Sequence, residues 1–356
     1  MLATEPTANP AVLAIDVGYG YTKAISSLGK KTIKTIFPSV IAPARDLALD
    51  AFTVTDQKKN GVGHLVKIIR GTEGSPEETY FVGDLALREG ENVQHTLDRN
   101  KHEHPMHDVV LLTAAVLCWN WPRQPAFWSQ WSQGSVRPKL VVGLPAGDWN
   151  GNNEKLARHI AGMAGWVSVD GKEPVWVSFD SPLVYPQGAA ALLTAPDIPE
   201  DGVAVLVDVG RKTTDCVAVR MENGESSGLE KGMCGSINNG AASLEKAVEE
   251  YIKSKIGIPM PHAQTLEAMR TGYVWYRGRK IDLTDEIEKA KKQTARAIAD
   301  EVLKLWGRRG EFVRKVYLAG GGAEELPLLQ ELFPAALLLP AAQWANAVGF
   351  LKAGGA

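Results

Sequence analysis

Apolar positions along the chain fall into two patterns. Short apolar-rich runs of four to eight residues, some interrupted by one or two polar positions, predict strands at 11–15, 64–69, 79–82, 139–144, 175–179, 203–207, 216–219 and 312–319. Residues 30–41 read as a further strand, broken at Phe37-Pro38-Ser39. Longer segments carry helical spacing. Residues 108–119 are apolar on almost every side and predict a buried helix, and residues 152–164 and 241–256 predict two more, the latter closed by Gly257 and Pro259. Thr284–Trp306 is amphipathic, with Ile287, Ala290, Ala297, Ile298, Val302 and Leu305 assigned to its apolar side. Residues 46–60 are polar and read as a loop, and 71–76 as a turn. Residues 273–276 and 280–282 flank Arg277-Gly278-Arg279 as a hairpin with a solvated basic tip.

Two strand ends stand apart. Residues 203–207 run into Asp208, Gly210, Lys212, Thr213, Thr214 and Asp215 before the next strand, and residues 11–15 run into Asp16, Gly18, Gly20, Tyr21, Thr22 and Lys23. A core hairpin gains nothing from carboxylates at its tip. A turn that holds a metal-bound polyphosphate does, because glycine lets backbone N–H groups approach oxyanions and Asp holds Mg²⁺ through its waters. The plainer alternative for either turn alone is an exposed polar loop. A glycine triplet, Gly320-Gly321-Gly322, follows the last aliphatic run. Gly232, Gly235 and Gly240 precede the helix at 241–256, in a turn suited to anion contact.

The ordered set of two Asp-x-Gly hairpins, the Gly143-Leu-Pro145 turn, the Tyr185-Pro-Gln187 junction before an Ala-rich helix, Gly240 and Gly320–Gly322 resembles the actin-like ATPase superfamily, with particular likeness to plasmid-segregation ATPases of the ParM/StbA type. The phrase Val82-Gly-Asp-Leu-Ala86 supports that narrower likeness. The resemblance covers residues 12–352. It implies an α/β, actin-like, ribonuclease H-like duplicated fold of two domains, 1–198 with 340–356 and 199–339, around an interdomain nucleotide cleft, with the Pro-rich segment 195–202 as hinge. It further implies Mg²⁺ held largely through water by Asp16 and Asp208. ATP (or GTP) would be contacted by Gly18, Gly20, Tyr21, Thr22, Lys23, Gly210, Lys212, Thr213, Asp215, Gly240, Gly320, Gly321 and Gly322. Gln187 would orient the attacking water, with Asp16 and Asp208 completing the catalytic set; a polar cap on the following helix is the alternative for Gln187. Glu288 and Lys292 match an adenosine-contacting stretch of the heat-shock chaperones, against a charged helix face as the commoner explanation. The chain departs from the family where Gly20 replaces a hydroxyl residue, and where Arg211 and Lys212 stand in place of small residues; the sequence leaves open whether these bases face phosphate.

Composition narrows the rest. With 356 residues, 45% hydrophobic and 22% charged, the chain is long enough for two globular domains. A formal net charge of −2 argues against coating nucleic acid through its own charge. Cys118, Cys216 and Cys234 lack metal-ligand spacing and an even count, which fits a reducing cytoplasm. No signal peptide or membrane segment is read. His95, His102, His104 and His107 crowd one polar segment, read as loop histidines over a metal site. Trp119, Trp121, Trp128 and Trp131 are read as packing or subunit-contact residues over single-strand binders. No Walker or Gly-x-Gly-x-x-Gly motif occurs. The expected function is a filament-forming ATPase of plasmid segregation, with self-association and an adaptor protein for DNA. The alternatives are a non-polymerising ATPase of the superfamily and a small-molecule kinase.

Overall fold

The computed structural model describes residues 11–45, 63–71, 74–95, 104–123, 137–145, 149 and 151–356. The loop expected at 46–60, together with His102, Trp128 and Trp131, lies outside the described residues. The chain divides into two compact units, broken at Leu193/Thr194, with Asn346–Ala356 returning to the first.

The first unit opens with β1 (Val12–Val17), β2 (Tyr21–Leu28), β3 (Lys31–Pro38) and β4 (Val40–Pro43), then β5 (Gly63–Arg70), β6 (Glu77–Gly83), α1 (Asp84–Glu89), β7 (Gln94–His95) and α2 (Pro105–Cys118). It continues with β8 (Lys139–Leu144), α3 (Asn152–Ala161), β9 (Ala164–Val169), β10 (Val175–Ser178), β11 (Leu183–Pro186) and α4 (Ala189–Leu192). One sheet has the order β11-β8-β1-β2-β3 and the other β10-β9-β5-β6-β4-β7. β1 is buried at every residue because β2 pairs antiparallel on one side and β8 parallel on the other. That environment accounts for its unbroken aliphatic run. α2 packs on strands of both sheets, so it has no polar face to spend on solvent. It starts at Pro105, with the His104 side chain accepting from the Met106 N–H at 3.1 Å.

Two expectations change here, the end of one helix and the place of the histidines. The helix at 152 ends at Ala161 before Gly162, and Ala164 opens a strand that apolar alternation did not reveal. His107 is buried in α2, and His95 belongs to β7; neither is a loop histidine. Among the described residues no three His, Cys, Asp or Glu side chains converge on a metal position. Trp119 and Trp121 are core residues, and the Trp121 indole N–H donates to the Ala115 carbonyl at 2.9 Å.

The second unit contains β12 (Gly202–Val209), β13 (Thr214–Glu222), β14 (Glu225–Leu229), β15 (Gly235–Ile237), α5 (Ala241–Ile256), α6 (His262–Thr271), the hairpin β16 (Tyr273–Tyr276) and β17 (Arg279–Asp282), and α7 (Thr284–Trp306). β18 (Val313–Ala319), α8 (Gly321–Glu325), α9 (Leu329–Leu332) and β19 (Ala336–Leu338) complete it. Its main sheet runs β14-β13-β12-β18-β19, with β15 added to β13. β12 again lies between an antiparallel and a parallel neighbour and is buried from Val203 on. α7 has the bounds its periodicity predicts, but Ala297 is exposed; Thr294, Ala295 and Ala299 occupy the buried stripe with Ile287, Ala290, Ile298 and Val302. The segment before β12 is tied into this unit, with Tyr317 Oη donating to the Asp197 carbonyl at 2.5 Å and Lys315 paired with the Asp197 carboxylate. The closing helix α10 (Ala345–Ala353) packs back on the first unit: its Gly349 lies against the Ala190 backbone, and Gly354 just beyond it lies against Val12. No helix among the described residues is long and apolar enough to cross a membrane.

Candidate functional site

The β1–β2 hairpin places Asp16 opposite Lys23 in register. Cross-strand partners share a face, so the two side chains meet, and Lys23 Nζ donates to Asp16 Oδ2 at 3.0 Å. The carboxylate is only 2% exposed. Its other oxygen, Oδ1, accepts from Gln187 Nε2 at 2.8 Å. Asp16 therefore meets a charge on one oxygen and an amide on the other.

Gln187 sits at the β11–α4 junction, where its backbone N–H donates to the Leu144 carbonyl at 2.7 Å. The residue flanking α4 at its N-terminus is Gly188, whose N–H donates to Asn346 Oδ1 at 2.9 Å. The Gln187 side chain is thus committed to Asp16 and does not cap α4. A carboxylate only accepts, so the amide must present its NH₂ to Asp16, which leaves Oε1 as the acceptor for a water O–H. Phe350 of α10 and Gly143 of β8 pack beside Gln187; a Cβ at position 143 would approach Gln187 Cγ to 2.9 Å.

The turn itself is closed by the Gly18 N–H donating to the Tyr21 carbonyl at 3.1 Å, while the Gly20 carbonyl accepts from Ser39 N–H at 2.9 Å. Tyr21 is exposed. Thr22 is fully buried, its hydroxyl bonded to Ser39 Oγ at 2.8 Å, so that hydroxyl serves the core and not the turn surface.

The β12–β13 hairpin repeats the backbone device with different partners. Asp208 and Asp215 are in register, and both carboxylates are largely buried. Gly210 N–H closes the turn on the Thr213 carbonyl at 2.9 Å, and Thr213 Oγ1 donates to Asp215 Oδ2 at 3.1 Å. Thr214 is buried, with its hydroxyl on the Asn239 carbonyl at 2.8 Å. Lys212 lies part-exposed in the turn. Gly240 and the glycine triplet both meet this turn. Gly320 adopts φ +86°, and a side chain there would run into the Val209 carbonyl and Asp208 Oδ1; a Cβ at Gly322 would press on Val209 Cγ1 at 2.6 Å. Gly321 lies against Gln343. The structure thus brings Asp208, Gly210, Gly240, Gly320 and Gly322 to one place within the second unit.

Glu288 and Lys292 are not gathered in. Glu288 pairs with Lys291 along α7 at 2.8 Å, and Lys292 is exposed. The α7 residue whose charge reaches α8 is Lys291, which acts on Glu325. Burial pushes the Glu325 carboxyl up, Glu245 adds to this, and Lys291 opposes it. Lys291 is one helical position from Lys292, a phase that helical periodicity alone did not assign.

Carboxylate oxygens on Asp16 and on Asp208 are hard donors of the kind Mg²⁺ prefers, and glycine at 320 lets the backbone pack directly on Asp208 Oδ1. Each turn, taken by itself, therefore carries a donor that fits a metal-bound phosphate.

Comparison with known proteins gives the family of the chain. The model of the N-terminal domain of actin-like proteins matches residues 14–189, and that of the C-terminal domain of archaeal MreB-like actin homologues matches 206–331. The chain belongs to the actin-like ATPase superfamily. It is similar to ParM from Clostridium botulinum, solved as a 15-stranded filament, with 26% identity over 97% of this chain and 99% of that one and a TM-score of 0.80. The archaeal actin homologue Ta0583, solved with ADP, is 20% identical over 96% and 98% with a TM-score of 0.70. Bacillus thuringiensis ParM with ATP is 15% identical over 97% and 98% with a TM-score of 0.63. At these lower identities the last two speak to the fold alone. No curated protein sequence matches significantly.

Proposed function

We propose that the chain is a nucleotide-dependent, filament-forming ATPase of the actin-like superfamily, in which the Asp16 and Asp208 turns serve one Mg–nucleotide. The observation that carries this reading is the Gln187–Asp16–Lys23 chain of contacts at 2.8 and 3.0 Å, assembled by residues 171 and 7 positions apart. A structural role for Gln187 needs only a packed amide. Anchoring its NH₂ on a buried carboxylate instead sets the direction of Oε1, as water positioning requires.

When bound, Mg²⁺ would neutralise phosphate charge next to the carboxylates of Asp16 and Asp208. Lys23 holds Asp16 in place and contributes positive charge to the first turn. Gln187 Oε1 accepts from a water and aligns it for attack. Asp208 supplies the carboxylate of the second turn, Gly320 lets the following backbone pack against it, and Gly240 allows α5 to approach the turn. The two compact units are taken as the two lobes of the nucleotide-binding protein. ATP (or GTP) as the nucleotide, and plasmid DNA as cargo through an adaptor, rest on likeness to the ParM relatives; the net charge of −2 favours an adaptor over direct DNA contact.

The test is phosphate release from Mg–ATP with no acceptor added, run beside light scattering and negative-stain microscopy. Acceptor-free hydrolysis with ATP-dependent filaments is expected. Turnover only with a small-molecule acceptor would replace this reading with a kinase.

A further inference from the structure

Position 211 carries a long base where related turns are small, and the structure shows its destination. Arg211 belongs to the β12–β13 turn, but its guanidinium leads to α5. Nε lies 3.1 and 3.2 Å from the two oxygens of Glu245, and Nη2 lies 2.8 Å from Oε2. Nη2 also donates to Nε2 of His262, the first residue of α6, at 3.0 Å. The same turn is held by backbone bonds from Ala241 N–H to the Gly210 carbonyl at 3.0 Å and from Ala242 N–H to the Arg211 carbonyl at 2.7 Å. Gly240 permits this approach, since a Cβ there would stand 2.6 Å from the Gly210 oxygen.

A guanidinium only donates, so the bond at Nε2 requires a lone pair there and a neutral imidazole. The surroundings favour that state. Burial lowers the His262 pKa most, Glu245 and Glu249 of α5 raise it, and Arg211 lowers it.

We propose that Arg211, acting through Glu245 and His262, is a positioning residue that clamps the Asp208 turn to α5 and α6, and that protonation of His262 loosens the clamp. The proposal rests on reading that turn as a phosphate-binding turn. On protonation Nε2 becomes a donor, loses the bond from Arg211 and faces it as a like charge. The imidazolium then competes for Glu245 Oε2, 3.7 Å away. The turn then keeps its two backbone bonds to α5 and a weakened Arg211–Glu245 pair.

The experiment is hydrogen–deuterium exchange at the Ala241 and Ala242 amides of the full chain without nucleotide, paired with Mg–ATP turnover across pH. Arg211→Ala should speed exchange at both amides on the order of tenfold and lower kcat/KM by a similar factor, mainly through KM. Arg211→Lys keeps the charge but not the fork and should recover only part of either loss. In the unmodified chain both amides should loosen below about pH 6, and His262→Gln, which keeps an acceptor, should remove that rise. Unchanged exchange in Arg211→Ala, or an acid-side rise that persists in His262→Gln, would overturn the clamp. Clamp-dependent exchange in a chain that turns over no nucleotide would overturn the ATPase reading and leave the clamp standing.

Discussion

The two Asp-x-Gly hairpins share a backbone plan and differ in electrostatics. At the first, the register partner of Asp16 is Lys23, and Gln187 completes its hydrogen bonding. At the second, the register partner of Asp208 is another acid, Asp215, and the nearby Arg211 is turned to Glu245. Like charges directly opposite each other on a strand pair are destabilising. The first turn therefore sets acid opposite base in register, while the second sets acid opposite acid. On the proposed reading, water positioning falls to the first turn and a metal-linked role to the Asp208 carboxylate of the second.

The largest break in that comparison is Asp208→Ala. Phosphate release from Mg–ATP should fall by more than about 100-fold, the scale of losing a main electrostatic contact to a reacting phosphate. Full turnover in that variant would remove the metal assignment from the second turn. Gln187→Ala should slow hydrolysis roughly 10- to 100-fold, the loss expected from an unpositioned water, while nucleotide affinity holds and filaments last longer. Hydrolysis at the normal rate would reduce Gln187 to a packing residue. Gly320→Ala places a side chain at φ +86° against Asp208 and Val209. A loss of about 1–3 kcal/mol is expected, read as a lower Tm that Mg–ATP restores poorly. A Tm equal to that of the unmodified chain would mean the cradle has slack. The smallest effect tests the like-charge pair. Asp215→Asn keeps an acceptor for Thr213 and should raise stability by about 0.2–1 kcal/mol in metal-free buffer. A fall in Tm there would show that the Asp215 charge is already compensated.

Much of this was legible in the residue order because it is local. The strands buried on both faces, the two hairpins and the full extent of α7 follow from runs, turns and periodicity. Lys23 reads from the sequence as a phosphate contact, and its pairing with Asp16 appears only with the hairpin register of the structure. What escaped depends on distant packing. Gln187 lies 171 residues from Asp16, so only resemblance to a known pattern pointed to it. The destination of Arg211 required α5 and α6, whose Glu245 and His262 are 34 and 51 residues on. Ala297 was assigned to the wrong face of α7 because alanine fits either side, and the buried stripe instead holds Thr294, Ala295 and Ile298. β9 was missed because an Ala–Gly–Trp start reads as helix end or loop until its partners β5 and β10 are present.

The claim that both turns serve a single nucleotide is tested most directly by calorimetric titration of ATP, with and without Mg²⁺, into the unmodified chain, Asp16→Ala, Asp208→Ala and the double variant. One site per chain is predicted, with Mg²⁺-dependent affinity reduced by either substitution and losses that do not add in the double variant, because the two carboxylates act on one ligand. Losses that add in full, or two binding events of which each substitution removes one, would contradict it.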